Sequence, residues 1–443
     1  MKFKSFKVGV LCAFVSLSTY AQLVENTDSL YLVDQRVSIL EDAVANSKKL
    51  KISGYIQAQW QSAQLDSLGN ASMDMKVGAK KPGGEKTDMN RLGVRRGRVK
   101  FAYDESGFQG VLQLDITEKG VGIKDVYLNV IDPWIGYVSV KGGVFDRPFG
   151  YEISYSSSRR ESPERSRIFQ TLFPDERDLG AMLVIQAPKT SPWNVLKLEA
   201  GLFAGNGIYQ DNDSKKDFIG HLSYSKSITP NIKIGLGASL YSGFVAQTNK
   251  YIYSVNNGAF SVDSVSNINK DGFAKREYWG FDGQFSMNSL IGLTTIRGEY
   301  LFGNQPGNAV SAGSPKSGNI GGVDNLNSTS FVKGGTDTYI RKVSGGYIHF
   351  IQDIADTKHS LTVKYDWYDP NTDITGSQIG VGKKSGKADM AYSTLGLGYM
   401  YRMNNNVRLM AYYDMVKNES TKVKGYFTDA KDNLVTVRVQ YKF

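Results

Sequence analysis

The last nine residues, Val435-Thr436-Val437-Arg438-Val439-Gln440-Tyr441-Lys442-Phe443, alternate without a break between apolar and polar side chains. A strand points successive side chains to opposite faces. One face here is Val, Val, Val, Tyr and Phe, and the other is Thr, Arg, Gln and Lys. The same period of two recurs upstream. It marks candidate strands at 51–61, 91–103, 108–116, 121–131, 134–145, 178–187, 193–204, 217–227, 231–242, 277–287, 291–302, 341–351, 359–368, 391–402, 406–416 and 433–443, sixteen in all. A soluble sandwich would turn the apolar face inward, whereas a membrane barrel turns it toward lipid and lines water with the polar one.

The connections favour the barrel. Long ones (62–90, 146–177, 205–216, 243–276, 303–340, 369–390, 417–432) alternate with short ones (104–107, 132–133, 188–192, 228–230, 288–290, 352–358, 403–405), and only 117–120 is short where a long one is due. Short periplasmic turns, long outer loops and an even strand count are the pattern of an outer-membrane barrel. Asp132-Pro133 and Asn404-Asn405-Asn406 supply turn chemistry, and the long loops are rich in Gly, Ser, Asn and Lys. The expected fold is therefore all-β, a 16-stranded antiparallel transmembrane barrel over 51–443. Mean hydropathy is −0.32, and no run approaches the ~20 apolar residues of a membrane helix. Neither observation counts against a barrel, because only alternate residues of its strands need be apolar.

The N-terminal residues fit a secretory signal over 1–21. Lys2, Lys4 and Lys7 precede the apolar run Val8 to Leu17, and Thr19-Tyr20-Ala21 fits a cleavage site before Gln22. Cys12 follows the bulky Leu11, unlike a lipidation site, and it is the only cysteine. The mature chain then has no disulfide and no thiolate metal site. Removing three lysines takes the formal charge from +10 to +7, a mild basic balance. Residues 22–50 are expected to form a periplasmic helical or coiled-coil segment. Leu30, Val33, Val37, Leu40 and Val44 are spaced 3, 4, 3, 4, with Asn26 to Ser29 as capping residues. A helix packed on the barrel mouth and a short trimeric coiled coil both fit that seam. So short a segment before the barrel cannot build a globular plug, and sixteen strands leave room for an aqueous channel.

Alternation assigns the lumen face. With Val99, Phe101 and Tyr103 outward, Arg96, Arg98 and Lys100 point inward, as do Lys141, Lys197, Arg297, Lys364, Arg408, Arg438 and Lys442. Asp115, Asp125, Glu199, Glu299, Asp366 and Asp414 share that face. Charges in contact with lipid would be costly. An anion-favouring lining and a wall of ion-pair ladders are both consistent with this set. Connection 146–177 carries Arg159, Arg160, Arg165, Arg167 and Arg177, five arginines in nineteen residues, together with Ile168, Phe169, Leu172 and Phe173. Folded into the barrel, it would narrow the channel and bring guanidinium groups to passing anions. As an outer loop, its arginines would pair with Glu161, Glu164, Asp175 and Glu176. The apolar residues favour the folded-in arrangement.

Gly143-Val144-Phe145-Asp146-Arg147-Pro148-Phe149-Gly150, Glu164-Arg165-Ser166, Arg177-Asp178-Leu179-Gly180, Gly201-Leu202-Phe203-Ala204-Gly205-Asn206-Gly207 and Tyr365-Asp366-Trp367-Tyr368-Asp369-Pro370-Asn371 occur in this order. The string resembles that of the phosphate-selective porin O and P family, from about Ile52 to Phe443, and Arg95-Arg96-Gly97-Arg98 lies where that family has an arginine-bearing strand. The resemblance implies a trimeric sixteen-stranded porin with an in-folded third loop. Arg159, Arg160, Arg165 and Arg167, with Arg96 and Arg98, would hold phosphate or related anions. The terminal Phe443 resembles the signal read by the barrel-assembly machinery. Outer-membrane lipid, small hydrophilic or anionic solutes and further copies of the chain are the expected partners. A surface scaffold with an occluded lumen is the alternative.

Catalysis is not expected. The three histidines, His221, His349 and His359, stand beside no nucleophile motif, and no G-x-S-x-G occurs. Gly380-Val381-Gly382-Lys383-Lys384-Ser385 lacks the spacing of a phosphate-binding loop. Asp211 to Asp217 lacks the glycine of a calcium loop and holds two lysines. No metal or cofactor is expected, and the dispersed basic residues do not form a nucleic-acid face.

Overall fold

The computed structural model describes residues 49–79, 88–247, 251–265, 272–315, 319–320, 337–381 and 385–443. The helical segment expected over 22–50 lies outside these residues but for its last two, of which Leu50 already opens the first strand. The wall strands are β1 (Leu50–Ala63), β2 (Met89–Glu105), β3 (Phe108–Thr117), β4 (Gly120–Ile131), β5 (Val138–Asp146), β6 (Arg177–Gln186), β7 (Leu196–Phe203), β8 (Asp217–Thr229) and β9 (Ile232–Gln247). A hairpin, β10 (Tyr251–Asn256) and β11 (Ala259–Val265), follows. Then come β12 (Phe273–Ser289), β13 (Gly292–Gly307), the two-residue β14 (Asn319–Ile320), β15 (Thr338–Asp353), β16 (His359–Asp369), β17 (Tyr392–Arg402), β18 (Val407–Asn418) and β19 (Leu434–Lys442). Each wall strand pairs antiparallel with its neighbours, and β1 pairs with both β2 and β19. Without β10, β11 and β14, sixteen strands close on themselves.

The pairing of β1 with β19 closes the barrel, and Phe443 extends it. Its backbone exchanges two 3.0 Å hydrogen bonds with Gly54, and its ring lies where a Cβ on Gly54 would go. Only a glycine fits between that ring and the carbonyl of Arg98.

Exposure along β19 shows which way the sheet faces. Val437, Val439 and Tyr441 are 43%, 47% and 48% exposed, while Thr436, Arg438 and Gln440 are 0%, 2% and 4%. A water-soluble sheet would reverse these values. Leu112, Leu128, Leu236, Ile348 and Leu397 continue the apolar exterior around the wall. Trp134 and Trp193, in turns at the short-turn end, are exposed there, as in the aromatic girdle of a barrel at the membrane surface. An apolar belt around a closed sheet places this protein in an outer membrane.

The structure corrects the sequence reading in three places. The fifth strand starts at Val138 and the seventh at Leu196, because Asp132 caps the turn through Trp134 and Ile135 (3.0 and 3.2 Å) and Ser191 caps the short 192–195 helix. Connection 243–276 is not irregular throughout, since it contains the β10–β11 hairpin. Phe260 of that hairpin packs with Tyr339, Ile374 and Ile379 at the outer end of the barrel. Thirdly, the inner face is not polar throughout. Phe145, Phe203, Tyr241, Tyr278, Leu301 and Tyr347 point inward and are buried. Period-two alternation assigns a face but not what covers it, and here the cover is a loop.

Candidate functional site

The segment between β5 and β6, residues 147–176, enters the lumen and binds its inner wall. Its entry needs glycine. Gly150 has φ +61°, and a Cβ there would collide with the Glu299 carboxylate. Gly150 donates its N–H to Ser239 Oγ at 2.9 Å. Glu299 then accepts the N–H groups of Tyr151 (2.9 Å) and Glu152 (2.5 Å) and the Tyr347 hydroxyl (2.6 Å). The short helix α1 (Arg167–Leu172) turns Ile168, Phe169 and Leu172 onto the inward aromatics. The Phe173 ring lies 4.9 Å from Phe149, tilted by 37°, and meets Tyr241 and Tyr278 edge-on. The loop is thus held on one side by an apolar core inside the barrel.

On the other side it is held by charge. Glu164 accepts two bonds from Arg95 (2.7 and 2.8 Å), one from Arg96 (3.0 Å) and one from Arg438 (3.3 Å). Burial alone would push the Glu164 carboxyl up, but Arg95 and Arg96 outweigh it and hold it well below the usual carboxylate range. Glu152 pairs with Lys364 at 2.7 Å and Glu161 with Arg297 at 2.8 Å. Ser157 meets Tyr55 and Arg98, and the Arg159 carbonyl accepts from Arg408 near the short-turn end. The loop therefore runs from the outer rim nearly to the periplasmic end and back. At its exit Asp175 and Glu176 both take positive φ, 60° and 64°, a conformation costing side-chain-bearing residues about 1–2 kcal/mol each. The Glu176 carboxylate there gathers Lys124, Arg165 and Arg177.

The residues singled out from sequence divide by role. Arg96, Arg98, Arg297, Lys364 and Arg438 face inward and tie the wall to the loop. Arg165 is an internal staple, donating to the Glu152 and Ile153 carbonyls. Lys197 pairs with Glu199 along its own strand, and Lys141 lies 4.7 Å over the Tyr127 ring, away from the loop's charged half. Lys100 makes no ion pair among the described residues. Arg159 is exposed beside Arg402, Arg408 and Lys442, around a cavity of about 500 Å³ at the periplasmic mouth. Arg167 stacks 4.0 Å over Tyr392.

Arg160 differs from the rest. Its side chain is buried, and Nε, Nη1 and Nη2 have no hydrogen-bond partner. Burial and the neighbouring Arg96 push its guanidinium down from its ordinary value, yet an arginine stays charged. Sequence reasoning did not select Arg95 as a site residue. A bulge opposite Gln57 and Ala58 inserts it as an extra residue between Val94 and Arg96, and both arginines reach Glu164. The run Arg95-Arg96-Gly97-Arg98 was the available signal, but strict alternation sends Arg95 outward.

No protein-family model matches the chain, and no curated protein does. Among solved structures, OprB of Pseudomonas putida in its high-pH structure is similar over 92% of this chain and 96% of its own, with a TM-score of 0.53 at 9% identity. Looser likenesses, on which nothing here rests, are OmpF of Salmonella typhi in complex with daunomycin (TM-score 0.48, 13% identity, 89% and 97% covered) and outer-membrane-expressed OmpT of Vibrio cholerae (0.46, 11%, 89% and 98%). At such identities the likeness speaks to fold, and it agrees with the strand count, the closure and the apolar exterior: the chain is a sixteen-stranded outer-membrane β-barrel of porin architecture.

Proposed function

We propose that this barrel is a passive diffusion pore for small hydrophilic solutes, with a preference for anions such as phosphate set by the loop between β5 and β6. The observation that carries the anion preference is Arg160. Three buried guanidinium nitrogens lack any partner, and a buried charge without one is costly unless something else satisfies it. Arg96 lies beside it, and the Glu152, Glu164 and Glu176 carboxylates act on it without bonding to it. A permeating oxyanion supplies the missing acceptors. Arg159, Arg167, Arg98 and Lys100 extend the basic path, and the family resemblance suggests phosphate as the anion. Export by residues 1–21, insertion by the barrel-assembly machinery through Phe443 and assembly as a homotrimer belong to the same reading.

The test is single-channel conductance and reversal potential of the purified protein in a planar bilayer under a KCl gradient. Anion-directed reversal potentials that shift toward zero in Arg160→Gln support the proposal. Cation preference in the wild type, or an unchanged potential in the variant, overturns the role of Arg160. One observation favours the second reading, an occluded surface scaffold: the loop is bonded to β1, β2, β13, β16, β18 and β19, on several sides of the wall. That reading predicts no conductance from folded protein.

A further inference from the structure

The β17–β18 hairpin brings like charges together at its short-turn end. Arg402 and Arg408 are directly opposite each other in register. Tyr399 is exposed outward, so alternation turns both arginines inward. The Arg402 backbone N–H donates to the Lys358 carbonyl at 2.8 Å, which sets that lysine beside it. Gln440 faces Arg408 from β19, and Lys442 follows two residues on along the same face. Opposite residues on paired strands hold their Cβ atoms about 4.5–5.5 Å apart, and like charges so placed repel. The loop between β5 and β6 is tied down at the same place. Its Ser158 carbonyl accepts from Gln440 at 3.0 Å and its Arg159 carbonyl from Arg408 at 3.2 Å. These bonds use the loop backbone and leave the Arg159 guanidinium available.

Between loop and hairpin lies the cavity of about 500 Å³ noted above, lined by Arg159, Lys358, Arg402, Arg408 and Lys442 and by no carboxylate. Of these five cations, Arg402 alone has an ion-pair partner among the described residues, Asp353 at 3.0 Å. The loop carboxylate Glu161 is taken by Arg297 at 2.8 Å. Lys358 donates to the Met403 carbonyl at 2.9 Å, and the Arg159 and Lys442 side chains make no hydrogen bond among the described residues. Four positive charges therefore face one open space without a counter-charge. The volume is that of a small-molecule pocket, larger than a bare inorganic ion needs. Asn405, in the turn between the two strands, also lines it, and its amide has no hydrogen-bond partner among the described residues. A free amide offers a donor and an acceptor to a hydroxyl group.

We propose that this cavity binds a hydroxylated phosphate monoester, such as a sugar phosphate, with its phosphate on the cations that the protein leaves unpaired and its hydroxyls toward Asn405. A phosphate monoester carries a charge of about −1.5 to −2 at neutral pH and three strong acceptor oxygens, and the arginine fork binds such oxygens two at a time. The inference rests on the pore reading above for the solute's access to this mouth, and it names a class of solute held there. Arg160 does not line the cavity, so this site and the one proposed for the permeating anion are separable by mutation.

The experiment is equilibrium binding to the full mature protein folded in detergent, read by titration calorimetry, which needs no current. The probe is α-glycerophosphate, with glycerol and inorganic phosphate as controls, and it is expected to bind more tightly than either. Arg159→Gln combined with Lys442→Gln removes two side chains that hold nothing else in place. Each charge-assisted hydrogen bond lost should weaken binding about tenfold or more, so the double variant should lose at least that factor. Asn405→Ala should weaken α-glycerophosphate and leave inorganic phosphate unchanged. Lys189→Gln, in another exposed short turn, controls for general surface charge and should have no effect, and resistance to unheated SDS controls for folding. Inorganic phosphate binding as tightly as α-glycerophosphate, with Asn405→Ala without effect, would make this a plain anion site and overturn the proposal. Binding lost in Arg160→Gln but kept in the double variant would place the solute elsewhere and also overturn it, as would no binding of α-glycerophosphate to folded wild type. Binding without KCl conductance would refute the pore and leave the site, whereas conductance without binding would do the reverse.

Discussion

Glu164→Gln is the most informative single change to the loop. The carboxylate is buried and is the shared counter-charge of Arg95, Arg96 and Arg438, whose side chains are themselves mostly or fully buried. Glutamine has nearly the same volume and retains one acceptor oxygen. The change therefore removes charge more than packing. Breaking a buried pair by neutralising one partner costs about 3–5 kcal/mol, because the other charge is left uncompensated. At about 1.4 kcal/mol per tenfold, a loop docked in the native protein by that margin would shift its docking equilibrium by a factor of about 100 to 4,000. The apolar side, with Phe149, Phe169 and Phe173 buried, keeps the loop's other half in place, so loosening is expected around 157–166 alone. Three readouts follow. Hydrogen exchange in 157–166 rises while 168–173 stays protected, channel noise increases, and the reversal potential moves further toward the anion as three guanidinium groups lose their counter-charge. Asp104→Asn is the control. Its partner Lys51 is exposed to solvent, and such a pair is worth about 1 kcal/mol or less. Equal exchange in the two variants, or none above wild type in Glu164→Gln, refutes the assignment of Glu164 as the charged anchor.

Other outcomes are accessible by similar means. Gly150→Ala forces a side chain into positive φ and onto the Glu299 carboxylate, so the loop entry should lose its hydrogen bonds to Glu299 and Ser239 and the variant should unfold in SDS at a lower temperature; an unchanged transition would argue against the strain. Phe173→Ala opens a cavity in the inner core and should cost about 3–5 kcal/mol, seen as earlier thermal unfolding. Gly54→Val should impair barrel closure by displacing Phe443, and the fraction of folded protein recovered from the outer membrane measures it. In the 417–432 outer loop, burial pushes the Asp432 carboxyl up to about 6, above its unfolded value. Folding there favours the protonated form, so local protection should rise as pH falls through about 6 and then level off below the unfolded value. Asp432→Asn should abolish this pH dependence in hydrogen exchange.

Strand number, alternation of long and short connections and the facing of wall residues such as Arg438 were legible in the chain because a strand's period of two is local and a barrel repeats it. The same local logic located the arginines of 146–177 and the apolar residues beside them. It could not say which arginine would be left alone. Arg165 is neutralised by Glu176 and Arg96 by Glu164, while Arg160, one residue from the exposed Arg159, is buried without an acceptor. That outcome depends on contacts between residues up to 275 positions apart, such as Arg438 to the Pro163 carbonyl. The inward aromatics of β5 to β16 were likewise hidden, since alternation fixes a face and not its covering. The bulge that turns Arg95 inward exists only once strands are in register. A closed, lipid-facing wall is legible in the chain alone, because lipid on one side and water on the other impose a repeat that each strand carries. Which charges cancel inside that wall is settled by folding, because cancellation is a property of pairs that folding brings together.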